Sequence, residues 1–290
     1  MAGTILRVDG RARWALIAGA GPVVVLEPAI ADVGLTWWKV QPEAAAFATV
    51  FTHDRPGLGR SEPISTPRVA ASMVDDLRSA LAAASLTPPF VLVGHSFASL
   101  TIRAFACLHP DEVSGLLLVD GAHEDQMERF PAELDPGPML AGFSASLRRL
   151  AESASRGEKV EPLAPIPSGV PKDLVDDYLE ATAPTPVHLE AAAAEYEGLA
   201  VSQDQVRSLV SSHPRDVPLI ALRHGISQPV PGVSEAVNRR YEEAWVQLQE
   251  ELAARSESGE VRLAPDAGHL IHHDRPDLVV SAIRDLVFRS

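Results

Sequence analysis

The sequence predicts an α/β fold with a mostly parallel central sheet flanked by helices and a helical insertion in its second half. Three observations carry this. Short β-branched runs alternate with segments of helical periodicity along much of the 290 residues, the pattern of strand–helix–strand units. The run Pro22 to Leu26 is apolar and β-branched almost throughout, as a strand covered on both faces must be. The stretch from Gly121 to Asp216 holds helical patterns and Pro-rich connections but no strand-like run.

Taken in order, Thr4–Val8 and Arg13–Ile17 read as two strands joined at an Asp9-Gly10 turn. The strand Pro22–Leu26 stops at Glu27-Pro28, because proline cannot extend a central ladder. Ala29–Thr36 is then a loop and Trp37–Ala46 a short helix. Phe47–Thr52 is a strand. Arg68–Ala84 is helical through Val69, Met73, Leu77 and Leu81. Phe90–Val93 is a strand followed by a helix to His109, and Val113–Val119 is another strand. Helices are expected over Met139–Ser153, Pro171–Ala181 and Val187–Leu199. Pro218–Leu222 resumes the sheet. Ser234–Arg255 is an amphipathic helix capped by Ser234, with Val237, Tyr241, Trp245, Leu248 and Leu252 on one face. Val261–Ala264 closes the sheet, and Pro276–Phe288 is a final helix with proline in its first turn.

Acidic residues outnumber basic ones 39 to 25, for a formal charge of -14. No Lys/Arg-rich face is visible, so nucleic acid is not an expected partner. No apolar run reaches the length of a membrane span. The first ten residues lack a basic region followed by an apolar core, so no signal peptide is apparent and a cytoplasmic location is expected. The single cysteine, Cys107, leaves no internal disulfide to form. A homo-oligomer is compatible with the sequence.

The chemistry centres on Gly94-His95-Ser96-Phe97-Ala98. A strand, a sharp turn carrying one serine and a helix follow directly on one another, which is a nucleophile elbow. Small residues at 94 and 98 relieve crowding, and the serine sits near a helix N-terminus whose free N–H groups can receive negative charge. A serine hydroxyl needs a base. Of the ten histidines, His269 has the best context, in a loop after the last strand. His272 could line the same region, and His273 reads as solvated or a helix cap. The His269, His272 and His273 cluster lacks the spacing of a zinc motif, so no metal is expected. The glycine-rich loop His53–Ser61 lacks both the phosphate-loop and the dinucleotide spacing, so no cofactor is expected either.

The base in turn needs a carboxylate. Asp120 ends the strand after the elbow. The strand Pro218–Leu222 leads into Arg223-His224-Gly225 with no carboxylate before Glu235, so Asp120 is the expected acid. Glu124 and Asp125 are its local rivals, and Asp266 is a fallback close to His269. Asp216 precedes its strand and so lies at the wrong end of the sheet. The Phe97 and Ala29 N–H groups are the expected oxyanion donors, since Pro28 has none.

Three segments, in this order along the chain, resemble the α/β-hydrolase fold superfamily: Asp54-Arg55-Pro56-Gly57-Leu58-Gly59-Arg60-Ser61; Gly94–Ala98, with alanine in the last place of the serine motif; and Gly268-His269 with Pro276 following. The resemblance covers nearly the whole chain. It implies a core of residues 1–121 and 216–290 and a helical cap over 122–215. It places Ser96 as nucleophile, His269 as base and Asp120 as an acid that some members carry after the sixth strand. Glu27-Pro28 stands where many members have His-Gly. Trp37, Trp38, Met127, Phe130, Met139, Phe143, Leu147 and Tyr178 are then the candidates to line a pocket for a hydrophobic small-molecule substrate. The implied activity is hydrolysis of a carboxylic ester or thioester through an acyl-enzyme. The alternative is a non-hydrolytic enzyme on the same fold, an acyltransferase, lyase or cyclase of secondary metabolism.

Overall fold

The computed structural model describes residues 3–134, 136–212 and 217–289. Its core is an 8-stranded sheet in the order β1-β2-β4-β3-β5-β6-β7-β8. The strands are β1 (Thr4–Val8), β2 (Arg11–Ala18), β3 (Val23–Glu27), β4 (Thr49–His53), β5 (Phe90–His95), β6 (Val113–Val119), β7 (Leu219–His224) and β8 (Glu260–Ala264). β2 is antiparallel to both of its neighbours, and every pair from β4 to β8 is parallel. The all-apolar strands are the central ones: β5 is buried at every position, and β3 is buried at all but its first.

The helices are α1 (Gln41–Ala44), α2 (Ala70–Ala83), α3 (Ala98–Leu108), α4 (Gln126–Arg129), α5 (Pro136–Ser155), α6 (Val175–Ala181), α7 (Pro186–Ser212), α8 (Glu235–Ala253), α9 (Ile271–Asp274) and α10 (Pro276–Phe288). One apolar layer packs α2 and α3 on one sheet face through Leu77, Leu81, Leu100 and Phe105. The other seats α10 through Val279, Ile283 and Leu286. Both faces of the sheet are thus covered, which is why its central strands are buried almost throughout, while the edge strands β1 and β8 keep exposed positions.

The helices α4 to α7 fill the interval between β6 and β7. Pro186 opens α7, whose Leu189, Ala192 and Ala193 pack on Leu147 and Ala151 of α5. The expected short helix from Trp37 is instead a 3-10 turn over Gly34–Trp37 followed by α1, with Pro42 in the first turn of α1. α7 runs well past the expected Leu199. Ser234 caps α8 by accepting the Val237 N–H at 3.3 Å. Asp216 and the 215/216 boundary lie outside the described residues. Among the described residues, no helix is long and apolar enough to cross a membrane.

Candidate active site

Three strand ends converge on one cavity of about 320 Å³. At the first, β5 stops at His95 and the chain turns sharply into α3. Ser96 takes a left-handed φ of 53°, a conformation unfavourable for a non-glycine residue. It is held there from both sides: the Ser96 N–H donates to the Val119 carbonyl at 3.0 Å, and the Ala122 N–H donates to the Ser96 carbonyl at 2.9 Å. Gly94 makes the turn possible. A Cβ there would lie 2.9 Å from the Ala98 carbonyl carbon and 3.0 Å from Ile102. Phe97 follows as the residue that opens α3, so its N–H lies where a helix leaves its first donors unpaired.

At the second end, β6 passes into Asp120, also left-handed with φ 46°, and fully buried. Its carboxylate collects donors. His269 Nδ1 lies 2.6 Å from Oδ2, His224 Nδ1 2.8 Å from Oδ2, and Trp245 Nε1 donates to Oδ1 at 3.0 Å. Burial alone would raise the Asp120 carboxyl, but the hydrogen bonds from His224 and His269 outweigh it and hold the group well below the usual carboxylate range.

The third end is the loop after β8. It carries His269, whose ring packs on His95 at 4.7 Å and meets Trp245 edge-on at 6.0 Å. The His269 carbonyl is 2.9 Å from His95 Nε2. A carboxylate can only accept, so His269 Nδ1 carries the proton in this contact, leaving Nε2 of the neutral ring as an acceptor. Burial and the nearby His269 lower His95 to about 3. His95 is therefore neutral at ordinary pH.

Ser96, Phe97, Asp120 and His269 all border the cavity, together with Met127, Phe130 and Met139 from the insertion. The other candidates lie elsewhere. Trp37 is fully buried against His272, with ring centroids 4.7 Å apart. Trp38 packs beside Trp14, Leu16 and Tyr178 in a separate apolar cluster, and Tyr178 lines a different, smaller recess. Leu147 joins α5 to α7. Phe143 points outward and stacks on Tyr196 at 5.8 Å. Ile30, rather than Ala29, borders the cavity on the β3 side. His272 is buried against Trp37 rather than lining the site, and His273 is half-buried, its Nε2 donating to the Thr36 carbonyl at 2.9 Å.

The rival carboxylates are occupied. Glu124 is buried between Arg103 at 2.7 Å and Arg255 at 3.1 Å, Asp125 pairs with Arg207 at 2.7 Å, and exposed Asp266 lies 3.5 Å from Arg275. His123, Glu124 and Asp125 bring potential ligand atoms within 4.8 Å of one another, but these same arginines already neutralise both carboxylates.

The sequence reading missed the cavity's far wall. Tyr241 and Trp245 of α8 line it with His224 and Gln228. The amphipathic face of α8 was the available signal, since it turns Tyr241 and Trp245 toward the sheet end. The loop Asp54–Ser61 does structural work. Arg55 donates to the Pro28 carbonyl at 2.8 Å and the Ala29 carbonyl at 2.6 Å, and pairs with Glu195 of α7 at 2.8 Å. Glu195 also accepts from the Ala31 N–H at 2.7 Å and pairs with Arg68 at 2.8 Å. This cluster ties the insertion to the loop after β3.

Residues 22–158 match the family described as the α/β hydrolase fold. An AB hydrolase superfamily protein of Gibberella zeae is 24% identical over 281 residues, spanning 92% of this chain and 86% of its own length. A Nostoc sp. PCC 7120 protein of α/β hydrolase type superposes with a TM-score of 0.74 at 18% identity, over 100% of this chain and 98% of that one. A thermophilic esterase from Thermogutta terrifontis does so with a TM-score of 0.68 at 20% identity, over 100% of this chain and 99% of that one. The strand order, the helices inserted between β6 and β7 and these whole-chain superpositions agree, and the chain has the α/β-hydrolase fold with a helical cap.

Proposed function

We propose that the protein is a serine hydrolase that cleaves a carboxylic ester or thioester of a hydrophobic small molecule through an acyl-enzyme. The observation that carries the reading is the 2.6 Å contact of His269 Nδ1 with buried Asp120, on the wall of the cavity that also holds Ser96. With its Nδ1 proton held by Asp120, the neutral imidazole has only Nε2 free to take a proton. It removes the Ser96 hydroxyl proton as Oγ adds to the substrate carbonyl carbon. The developing oxyanion is assigned to the Phe97 N–H on the cavity wall, which contributes about 3 kcal/mol to the transition state by analogy with single donors elsewhere; Ala29 is the second donor by its place after β3, although Ile30 is the residue of that loop that borders the cavity. Collapse breaks the bond to the leaving oxygen or sulfur, which departs with the proton from Nε2. Water, deprotonated by the same nitrogen, adds to the acyl carbon, and collapse returns Ser96 and releases the acid.

Support for a hydrophobic substrate comes from the lining. Met127, Phe130, Met139, Leu140, Leu199 and Trp245 line the cavity that holds the serine, and a mostly apolar wall with few polar groups suits an apolar acyl or alcohol portion. The test is hydrolysis of p-nitrophenyl esters of graded chain length by the wild type and Ser96→Ala. The variant is expected to lose on the order of 10⁶ in kcat, the loss that follows removal of a triad nucleophile. A serine-directed phosphonate should add its mass to the peptide containing Ser96. Undiminished ester hydrolysis by Ser96→Ala would sink the assignment.

A further inference from the structure

Asp120 serves two histidines. His224, the last residue of β7, is buried. Its Nδ1 lies 2.9 Å from Oδ1 and 2.8 Å from Oδ2 of Asp120. Its Nε2 lies 3.1 Å and 3.2 Å from the two carboxylate oxygens of Glu242 on α8. Its backbone N–H also reaches Asp120 Oδ1 at 3.2 Å. An ionised carboxylate only accepts, so a ring bonded to one on each side must carry a proton on both nitrogens. That ring is an imidazolium.

We propose that His224 is a positioning residue, a fixed imidazolium that orients Asp120, shares its Oδ2 with His269 and keeps His269 in its neutral, proton-accepting form. The geometry supplies the reason. When His224 is already charged, protonating His269 places a second cation on the same carboxylate. Like charges around one site disfavour the second protonation. The groups facing His224 are Asp120 at the end of β6, Glu242 and Tyr241 on α8, and Arg223, which donates to the His224 carbonyl at 3.2 Å. On the same Oδ2 of Asp120 lies His269, itself packed on His95. Burial disfavours charge on His224, but the hydrogen bonds to Asp120 and Glu242 prevail and push the ring up to about 9. The Glu242 carboxyl is correspondingly lowered by its hydrogen bond to His224.

The kinetic part rests on the Ser96, His269, Asp120 reading, while the charge on His224 does not. Two measurements separate them. Nitrogen-15 chemical shifts of the histidine rings, with His224 assigned through bonds from its own backbone in the wild type, are expected to show both His224 nitrogens protonated at pH 7. In Glu242→Gln, the midpoint at which that ring deprotonates should fall by at least one pH unit. A neutral His224 at pH 7, or a midpoint unmoved by Glu242→Gln, overturns the proposal even if His224→Gln does not fold. In the second measurement, kcat/KM for a p-nitrophenyl ester is followed against pH. His224→Gln retains a donor for Asp120 but removes the charge, so the acidic limb should move up by about one unit. A uniform loss at every pH with the limb unmoved would mean a purely structural role and also overturns the proposal. If Ser96→Ala stays active, the hydrolase reading fails, and the nitrogen-15 result still decides the charge of His224.

Discussion

At the scale of single residues, Asp120 concentrates the site's electrostatics. It is buried and left-handed, and it accepts from His269, His224 and Trp245. Asp120→Asn keeps the shape but replaces one acceptor oxygen with an amide that must donate. His269 is then driven to the other tautomer, with its proton on Nε2, where it cannot take one from Ser96. The expected loss is about 10⁴ in kcat at pH 7, measured with a p-nitrophenyl ester and accompanied by an unchanged far-ultraviolet spectrum. Asp266→Asn, altering an exposed partner of Arg275, should leave the rate as it is. The pairing of Asp120 with His269 was legible in the sequence because Asp120 ends an apolar strand and no carboxylate lies between β7 and Glu235. His224 was not, although it fills that empty place. Nothing in Arg223-His224-Gly225 says that the ring turns back toward the preceding strand and shares its carboxylate. The cavity was half legible for a related reason. Met127, Phe130 and Met139 line it, whereas Trp37, Leu147 and Tyr178 pack elsewhere, and an apolar side chain reads the same whether it faces a core or a ligand.

At the scale of elements, the alternation of strands and helices and the serine turn were legible because they depend on local rules. β-branched runs form covered strands, and the approach of β5 to α3 requires glycine at 94. The way the cap is fastened depends on distant partners, and the sequence does not show it. Glu195 lies in Glu190-Ala-Ala-Ala-Ala-Glu195-Tyr-Glu, which reads as one more solvated acid on a helix. In the fold it is completely buried between Arg55 and Arg68. Burial raises its carboxyl, but the two arginines prevail and hold it at about 2. Glu195→Ala takes the shared anion from two buried guanidinium groups, leaving Arg55 with Glu27 at 3.7 Å, and leaves the Ala31 N–H without its acceptor. Breaking a buried pair from one side costs about 3–5 kcal/mol, which a urea titration at pH 7 would read as a lower midpoint. The loop after β3, bonded to Arg55 through the Pro28 and Ala29 carbonyls, should loosen with it. kcat is therefore expected to fall further than the population of folded protein alone explains.

At the scale of the whole molecule, buried histidines and carboxylates set the pH range of stability. Burial, with His269 nearby, lowers His95 to about 3; burial, with the charge of Arg103, lowers His123 to about 4. His272, fully buried beside His95, is held well below its ordinary 6.5. These rings stay neutral when folded and take up protons when unfolded. Their contribution is complete above about pH 6.5 and is lost as pH falls through the range down to the folded values. Glu195 and Glu124, each lowered to about 2 from 4.5, add a second loss below pH 4.5. His224 has the opposite sign: raised to about 9, it stabilises fully below 6.5 and less as pH climbs through 9. Stability should therefore peak near neutrality, slightly on the acid side. The formal charge of -14 shrinks on acidification and pulls the other way, so the measurement belongs at about 0.15 M salt, where surface repulsion is screened. Each group protonated only in the unfolded chain adds about 1.4 kcal/mol per pH unit to the slope. His272→Gln removes one such group. Unfolding free energies from urea titrations between pH 6 and 4.5 should therefore fall less steeply in the variant, by about that amount per unit. An unchanged slope would mean that His272 is already protonated in the folded protein, in contact with Trp37 and His95, and that the acid limb has another origin.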